Sequence, residues 1–412
     1  MLVYVLNKNN KPLMPCKEQK ASKLLKQGKA EVVKRVPFTI RLLFGSSGYK
    51  QEVSLGIDAG SKHIGVSATT KDKVLYESEV LTRTDLVELL SERRELRSAR
   101  RNRKTRYRKA RFNNRVHSKN KGWLAPSIEN KINTHLTTVD KVCQLLPVSK
   151  IIVETASFDI QKIKNPTING IEYQQGEQMD FWNVREYVLW RDGHTCQCCK
   201  GKSKDKVLNV HHIESRKTGG NAPNNLVTLC EYCHKQYHLG NIKLPKSIKR
   251  GASFKDAVFM GVMRWSFYNK LKELYPNVYM TYGYITKNTR ITNNLPKEHY
   301  IDARCISGNP LAIPLDYHYL QKKVRRHNRQ LHKLTINKGG QRKNNQSPYI
   351  VKGFRLFDSV NAKGKEYYIK GRRMQGAFVL NTLTGSKLEI VPSKITFVHT
   401  NNGYITELVK AE

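Results

Sequence analysis

Acidic residues are scarce in this chain. Its 412 residues hold 33 Asp and Glu against 74 Lys and Arg, a formal net charge of +41. An excess of that size repels itself unless a polyanion neutralises it, and nucleic acid is the commonest one. Small acidic ligands would not require so much charge. Long apolar runs are also lacking. Ala257 to Met263 is among the longest, whereas a bilayer-spanning helix needs about 20 apolar residues, so no membrane span is expected. The opening MLVYVLNKNNKP has a short apolar strand but no basic leader, long hydrophobic segment or small-residue cleavage site, and a cytoplasmic protein is expected. Apolar residues still make up 39% of the chain and aromatics 9%. That share builds cores and excludes wholesale disorder, and the length suggests two to four domains. No internal repeat is visible.

Cysteine is sparse and unevenly placed. Of eight, five lie within the 38 residues from Cys196 to Cys233. In a reducing compartment they call for metal or burial rather than disulfides. Cys16, Cys143 and Cys305 read as small core residues. Cys196-x2-Cys199 and Cys230-x2-Cys233 form two knuckles separated by 30 residues, the pattern that puts four thiolates on one tetrahedral Zn²⁺. Four cysteines leave no open position for water, so this zinc is structural. Cys198 is a spare that could compete as a ligand.

The segment between and after the knuckles carries histidines. Val207 to Val210 alternate weakly and predict a strand that delivers His211 and His212. Asn225 precedes an apolar run from Leu226 to Leu229. His234 and His238 stand four apart and share a helix face. A divalent ion on His211 and on His234 or His238 would leave His212 free beside it, placed to take a proton from water attacking a phosphodiester. This stretch resembles the HNH (ββα-metal) nucleases. The resemblance implies His212 as general base and His211 as metal ligand. It implies His234 and His238 as further ligands, and Asn225 orienting the base or joining the metal shell.

A second set of candidates is scattered. Val53, Leu55 and Ile57 alternate and predict a strand ending at Asp58, with return strands over Ile64 to Thr69 and Lys73 to Val80. Lys150 to Val153 is continuously apolar after its first residue, as in a central strand, and ends in Glu154. His299 and Asp302, at i and i+3 of a predicted helix, share one face. Together these segments resemble a RuvC-type RNase H fold. Convergent carboxylates from Asp58, Glu154 and Asp302, with His299, would hold two Mg²⁺ (or Mn²⁺) ions that clamp the attacking and leaving oxygens.

Glycine and proline are absent from Arg93 to Lys119, which has thirteen Lys or Arg and one acid, Glu95. A helix can continue through it, seated by Leu86, Leu89 and Leu90. It is too basic to be stable alone, because like charges one turn apart repel, and it makes sense against phosphate. The expected nucleic-acid contacts are Arg93, Arg94, Arg97, Arg100, Arg101, Arg103, Lys104, Arg106, Arg108, Lys109, Arg111 and Arg115, with Tyr107 and Phe112 to stack on bases.

The whole order resembles the type II CRISPR effector nuclease and its compact relative, the IscB family. Only about 30 residues separate the basic helix from the second RuvC segment, too few for a recognition lobe. Lys11-Pro12-Leu13-Met14-Pro15 matches the PLMP motif of the IscB N-terminal domain. The implied fold is α/β multidomain: a split RuvC-like RNase H fold with an inserted zinc-stabilised HNH domain, an arginine-rich bridge helix and a small β-rich C-terminal domain. The expected boundaries are a PLMP domain over 1–50, RuvC segments over 51–85, 121–164 and 251–318, a bridge helix over 86–120, HNH with its linkers over 165–250, and a C-terminal domain over 319–412. The resemblance further implies an ωRNA guide, a double-stranded DNA target with a short adjacent motif, and a monomeric ribonucleoprotein. HNH would cut the guide-paired strand and RuvC the displaced one. A junction-resolvase-like nuclease acting without RNA is the alternative. Within the last part, Leu320, Val324 and Leu331 are spaced for one side of a helix. Tyr349 to Val409 alternates between turn signals as a curled sheet or barrel would. Arg372, Arg373 and Gln375 are candidates for reading bases or binding phosphate.

Overall fold

In the computed structural model the described residues are 1–46, 48–101, 122–155, 178, 181, 183–215, 220–251, 255–325, 332–336, 342–344, 348–373 and 376–410. The chain divides into two compact units, Met1–Ala156 with Met260–Glu412, and Ser157–Phe259. Among the described residues no helix is long and apolar enough to cross a membrane.

The first unit opens with a small sheet of β1 (Leu2–Leu6), β2 (Cys16–Lys17), β3 (Ala30–Lys34) and β4 (Thr39–Leu42), in the order β2-β1-β4-β3, with α1 (Glu18–Lys26) against it. Its core is Val3, Val5, Leu13, Ala21, Ile40 and Leu42. Leu13 of the PLMP motif is thus a core residue. Then come β5 (Ser54–Ala59), β6 (His63–Thr69), β7 (Val74–Leu81), α2 (Leu86–Arg101), α3 (Pro126–Cys143) and β8 (Lys150–Thr155). Leu55, Ile57, Ile64, Val66 and Val153 are fully buried; β5, expected from its alternation to be half-buried, is buried on both faces, while β8, continuously apolar, buries only alternate residues.

The second unit contains α4 (Val184–Arg191), β9 (Leu208–His212), β10 (Leu226–Cys230) and α5 (Glu231–His238). The chain returns to the first unit through α6 (Lys255–Leu274), then β11 (Val278–Tyr282), α7 (Gly283–Thr292), α8 (His299–Ile306) and β12 (Tyr317–Lys323). A short hairpin of β13 (His332–Ile336) and β14 (Arg342–Asn344) follows. The remaining strands are β15 (Ser359–Ala362), β16 (Lys365–Gly371), β17 (Phe378–Asn381), β18 (Lys387–Ile390), β19 (Thr396–His399) and β20 (Tyr404–Lys410).

A seven-stranded sheet runs β11-β8-β5-β6-β7-β12-β20. β8 is parallel to both β5 and β11, β6 is antiparallel to β5 and β7, and β12 lies parallel to β7 and antiparallel to β20. Five antiparallel strands, β18-β17-β16-β15-β19, make a separate sheet around Val360, Ile369, Phe378 and Leu380.

Two expectations for the C-terminal part are corrected. The helix suggested by Leu320 and Val324 is the strand β12: Tyr317, Tyr319 and Gln321 are buried while His318 and Leu320 are only half-buried, a period of two, and β7 and β20 hydrogen-bond it on both edges. The i,i+4 apolar spacing was incidental. The boundary expected at 318/319 therefore falls inside a strand, and β20 leaves the small sheet to join the large one. Leu331 lies outside the described residues.

α8 rests on β5 and β6 through two glycines. A Cβ at Gly56 would stand 2.0 Å from Ala303 O, and one at Gly65 only 1.8 Å from His299 O. No side chain fits, so the helix backbone lies directly on the strands. Gly65→Ala is expected to force α8 off the sheet. It should cost about 3 kcal/mol of stability, at the upper end for overpacking, and separate His299 from Asp58, whose pairing is described below. Thermal unfolding checks the first effect and a crystal structure the second.

Candidate active sites

The acidic site is built at one end of the large sheet. Asp58 leaves β5 and Glu154 leaves the neighbouring parallel strand β8. The close seat of α8 brings His299 and Asp302 to them. His299 Nδ1 lies 2.7 Å from Asp58 Oδ2. Burial pushes the Glu154 carboxyl up, Asp58 adds to the rise, and Arg264 opposes it. Asp302 is raised for the same reasons, burial first and then Asp58, with Arg290 opposing. The hydrogen bond to Asp58 raises the His299 imidazole, against burial. The three carboxylates therefore lie within electrostatic reach of one another. Such mutual repulsion, on hard oxygen donors, is what a divalent cation relieves, but among the described residues the ligand atoms of Asp58, Glu154 and Asp302 do not all come within 4.8 Å of one another, whereas those of His63, Glu79 and His299 do.

Four partners of this site carry no sequence motif. Arg264 donates from Nε to Ala59 O at 2.8 Å and approaches Glu154 to 3.3 Å. Arg290 pairs with Asp302 at 2.9 Å. His63 bonds to Glu79 at 2.5 Å and stacks on His299, with ring centroids 5.0 Å apart and planes 11° apart. The strand pattern places His63 and Glu79 near Asp58 only once the β6–β7 register pairs His63 with Leu81 and Gly65 with Glu79.

The second unit holds the histidines and cysteines. β9 and β10 pair antiparallel, with Val227 opposite His211 and Leu226 opposite His212, and α5 follows directly. Ligating atoms of His211, His234 and His238 all lie within 4.8 Å of one another. His234 and His238 Nε2 are 3.3 Å apart. His211 Nε2 is buried with no hydrogen-bond partner, and burial, reinforced by His234, His238 and His212, pushes its pKa down to about 4. Three convergent imidazoles, one with a buried ring nitrogen that no group answers, fit a divalent cation. His238 belongs to this set.

His212 does not join the triad. Its Nε2 meets Asn221 Oδ1 at 3.0 Å. Asn225 does not reach His212. Fully buried, it accepts from Glu214 N at 2.9 Å and donates to Glu214 O and Gly220 O at 3.0 Å each. Its amide closes the loop between β9 and β10, and Asn221 is the residue that touches the expected base. Both asparagines lie in one Asn-rich turn, so the sequence offered the right segment without distinguishing them.

Cys196, Cys199, Cys230 and Cys233 bring their sulfurs within 4.8 Å of one another. A tetrahedron with Zn–S near 2.3 Å has sulfur–sulfur edges of about 3.8 Å, and Cys199 and Cys230 Sγ are 3.8 Å apart. The set fits zinc. Cys198 is not part of it. Ser203 Oγ touches Cys199 and Cys230 Sγ at 3.3 and 3.1 Å, an interaction with no motif of its own.

The basic helix is observed over Leu86–Arg101. Leu86 and Leu89 are half-buried and Leu90 is exposed, so the helix is only lightly seated. Arg93, Arg94 and Arg97 lie on it. Arg100 and Arg101 occupy its last turn. Arg103, Lys104, Arg106, Tyr107, Arg108, Lys109, Arg111, Phe112 and Arg115 lie outside the described residues, as does Gln375. Arg372 is spent on the backbone carbonyls of Pro348, Tyr349 and Phe354, so it is a brace for its loop.

Two family models match the chain. The RRXRR protein model covers residues 3–176 and the HNH endonuclease model covers residues 196–239. No curated protein matches it. Among solved structures, Cas9 of Streptococcus thermophilus in complex with the AGAA PAM shares 12% identity over 54% of this chain and 32% of its own, with a TM-score of 0.35. The Type II-C Cas9 of Actinomyces naeslundii shares 11% over 63% of this chain and 60% of its own, with a TM-score of 0.20. The chain thus spans about a third of the length of the Streptococcus thermophilus protein it matches. The HNH match falls on the strand pair, the histidine triad and the zinc-type cysteines, and residues 196–239 are an HNH endonuclease domain, the catalytic unit of a metal-dependent phosphodiester hydrolase.

Proposed function

We propose that the protein is an RNA-guided double-stranded DNA endonuclease of the IscB type, with two active sites that cut different strands. The observation that carries this reading is the pairing of two unlike constellations in separate compact units. One is a histidine triad within an HNH domain, and the other a set of carboxylates converging from β5, β8 and α8. A single-strand nuclease needs only one. The net charge of +41 supports a large nucleic-acid ligand.

In the HNH domain, His211, His234 and His238 hold the cation and His212 accepts the proton of the attacking water, its imidazole steadied by Asn221. In the RuvC-like site, Asp58, Glu154 and Asp302 hold the cations and His299, fixed by Asp58 and the His63 ring, handles the proton. Divalent ions at both sites supply charge stabilisation for the attacking and leaving oxygens. The HNH domain cuts the guide-paired strand and the RuvC-like site the displaced one. The basic segment from Arg93 to Arg115 lies along the RNA.

The test is to purify the full chain from its native host at moderate salt and sequence the nucleic acid that remains bound. One long structured RNA with a variable end is expected, and DNA matching that end should then be cut. Heterogeneous or absent RNA on folded protein would overturn the guided reading, and cleavage of branched DNA would then favour a resolvase-like enzyme.

A further inference from the structure

Two lysines from distant parts of the first unit meet at one tyrosine, and a third acts on one of them. Tyr404, in β20, is buried, and its hydroxyl donates to Thr134 O of α3 at 3.3 Å, which fixes the ring. Lys141 of α3 places Nζ 3.3 Å from the ring centre, and Lys323 of β12 places its own at 4.2 Å. Two ammoniums therefore lie within 4.2 Å of one ring centre. Lys34, at the end of β3, is close enough to act on Lys141. Burial, then Lys34 and Lys323, push the Lys141 ammonium down to about 7.

Among the described residues, no acidic side chain pairs with Lys34, Lys141 or Lys323. The acid nearest in sequence to their basic neighbour Arg83 is Asp85, and it is spent on Arg83 through a two-pronged pairing at 2.9 and 2.7 Å. Tyr404 cannot serve as a phenolate, because burial pushes its pKa up to about 12. A ring face stabilises a cation, but modestly, and one ring does not offset the repulsion of clustered ammoniums. Lys141 and Lys323 are half-buried, and like charges held together partly out of water cost stability unless an anion joins them.

We propose that Lys141 and Lys323, seated on Tyr404, together with Lys34 form a binding site for a backbone phosphate of nucleic acid. Ammoniums suit this ligand: they are compact point charges on flexible stems, and they recognise phosphate without demanding a fixed base or edge. The inference rests on the nucleic-acid reading above, but not on guided cleavage.

The test uses the full chain with Lys34→Gln, Lys141→Gln and Lys323→Gln combined, and a Lys→Arg triple as control. A labelled single-stranded RNA and a DNA duplex of equal length are titrated by fluorescence anisotropy from low to high salt. For the ligand that uses the site, the glutamine variant should bind at least tenfold more weakly at low salt. The slope of log K against log salt should become shallower by about 0.7 for each single-strand phosphate that is no longer neutralised, or by about 0.9 for each duplex phosphate. The arginine variant should restore both. Which of RNA and duplex responds names the strand that lies there. Without nucleic acid the glutamine variant should melt no lower than the parent, because repulsion has been removed. An unchanged slope on both ligands while the parent binds well would overturn the site and leave the nucleic-acid reading standing. Failure of the parent to bind either ligand would overturn both. A lower melting temperature with unchanged binding would make the lysines structural and overturn the site.

Discussion

Asp58→Ala is expected to leave an enzyme that nicks only the guide-paired strand, and His212→Ala one that nicks only the displaced strand. The two sites share no residue and lie in different compact units, so losing one leaves the other its own ligands and base. Asp58 has two duties that Ala cannot perform. It holds His299 through the 2.7 Å hydrogen bond, and its charge completes the cluster with Glu154 and Asp302. Its loss should lower cutting of the displaced strand by at least about 10³-fold, because both cation retention and proton handling suffer. His212 supplies only the proton step, so its loss should cost about 10² to 10⁴ on the other strand. Strand-specific end labels on one duplex, cut by the ribonucleoprotein, read both rates at once. Loss of both cuts from either single change would sink the two-site reading.

Replacing Cys230 and Cys233 by Ser, or stripping metal with a chelator, should unfold the second unit while the first stays folded. The reason lies in what that core is made of. Cys196, Cys230 and Cys233 are themselves buried members of the cluster with Val227 and Leu229, so the ligands double as core. Structural zinc contributes about 10 to 16 kcal/mol of apparent binding energy in small zinc domains, more than a core of this size supplies. Cys230 also caps α5, its sulfur accepting from Cys233 N, so the helix carrying His234 and His238 starts at a cysteine of the zinc-type cluster. Amide exchange should show protection lost over β9, β10 and α5 and retained over β5, β6 and β8. In the Cys→Ser variant, assayed with divalent ion supplied, cutting of the guide-paired strand should vanish while nicking of the displaced strand persists. Full protection of β9 and β10 in metal-free protein would show that zinc does not hold this unit together.

Much of the architecture was legible because local patterns and tertiary structure agree. The alternation through Val53, Leu55 and Ile57 is that of a strand, and the fully buried β5 lies there. The cysteine knuckles and the i,i+4 histidines carry their geometry in their spacing, since one helix turn or one knuckle sets the ligand distance. The apparent helix over Leu320 and Val324 misled because edge pairing with β7 and β20 outweighs a spacing of four. Asn225 was placed rightly but given another residue's partner, since the turn's hydrogen bonds depend on how the loop between β9 and β10 closes.

By itself the sequence pointed to a polyanionic partner, through charge, and carried the two metal-ligand vocabularies, because thiol and imidazole spacings are local. Only the tertiary structure decided how the scattered groups meet. Gly56 and Gly65 let α8 lie on bare strand backbone and so carry His299 to Asp58. The β6–β7 register sets His63 under His299. Helices α6 and α7 bring Arg264 and Arg290 to the acids, and α3 and β12 bring Lys141 and Lys323 to Tyr404. Each of these meetings joins residues far apart in the chain, and their separation is fixed by packing and strand register, which no local spacing encodes.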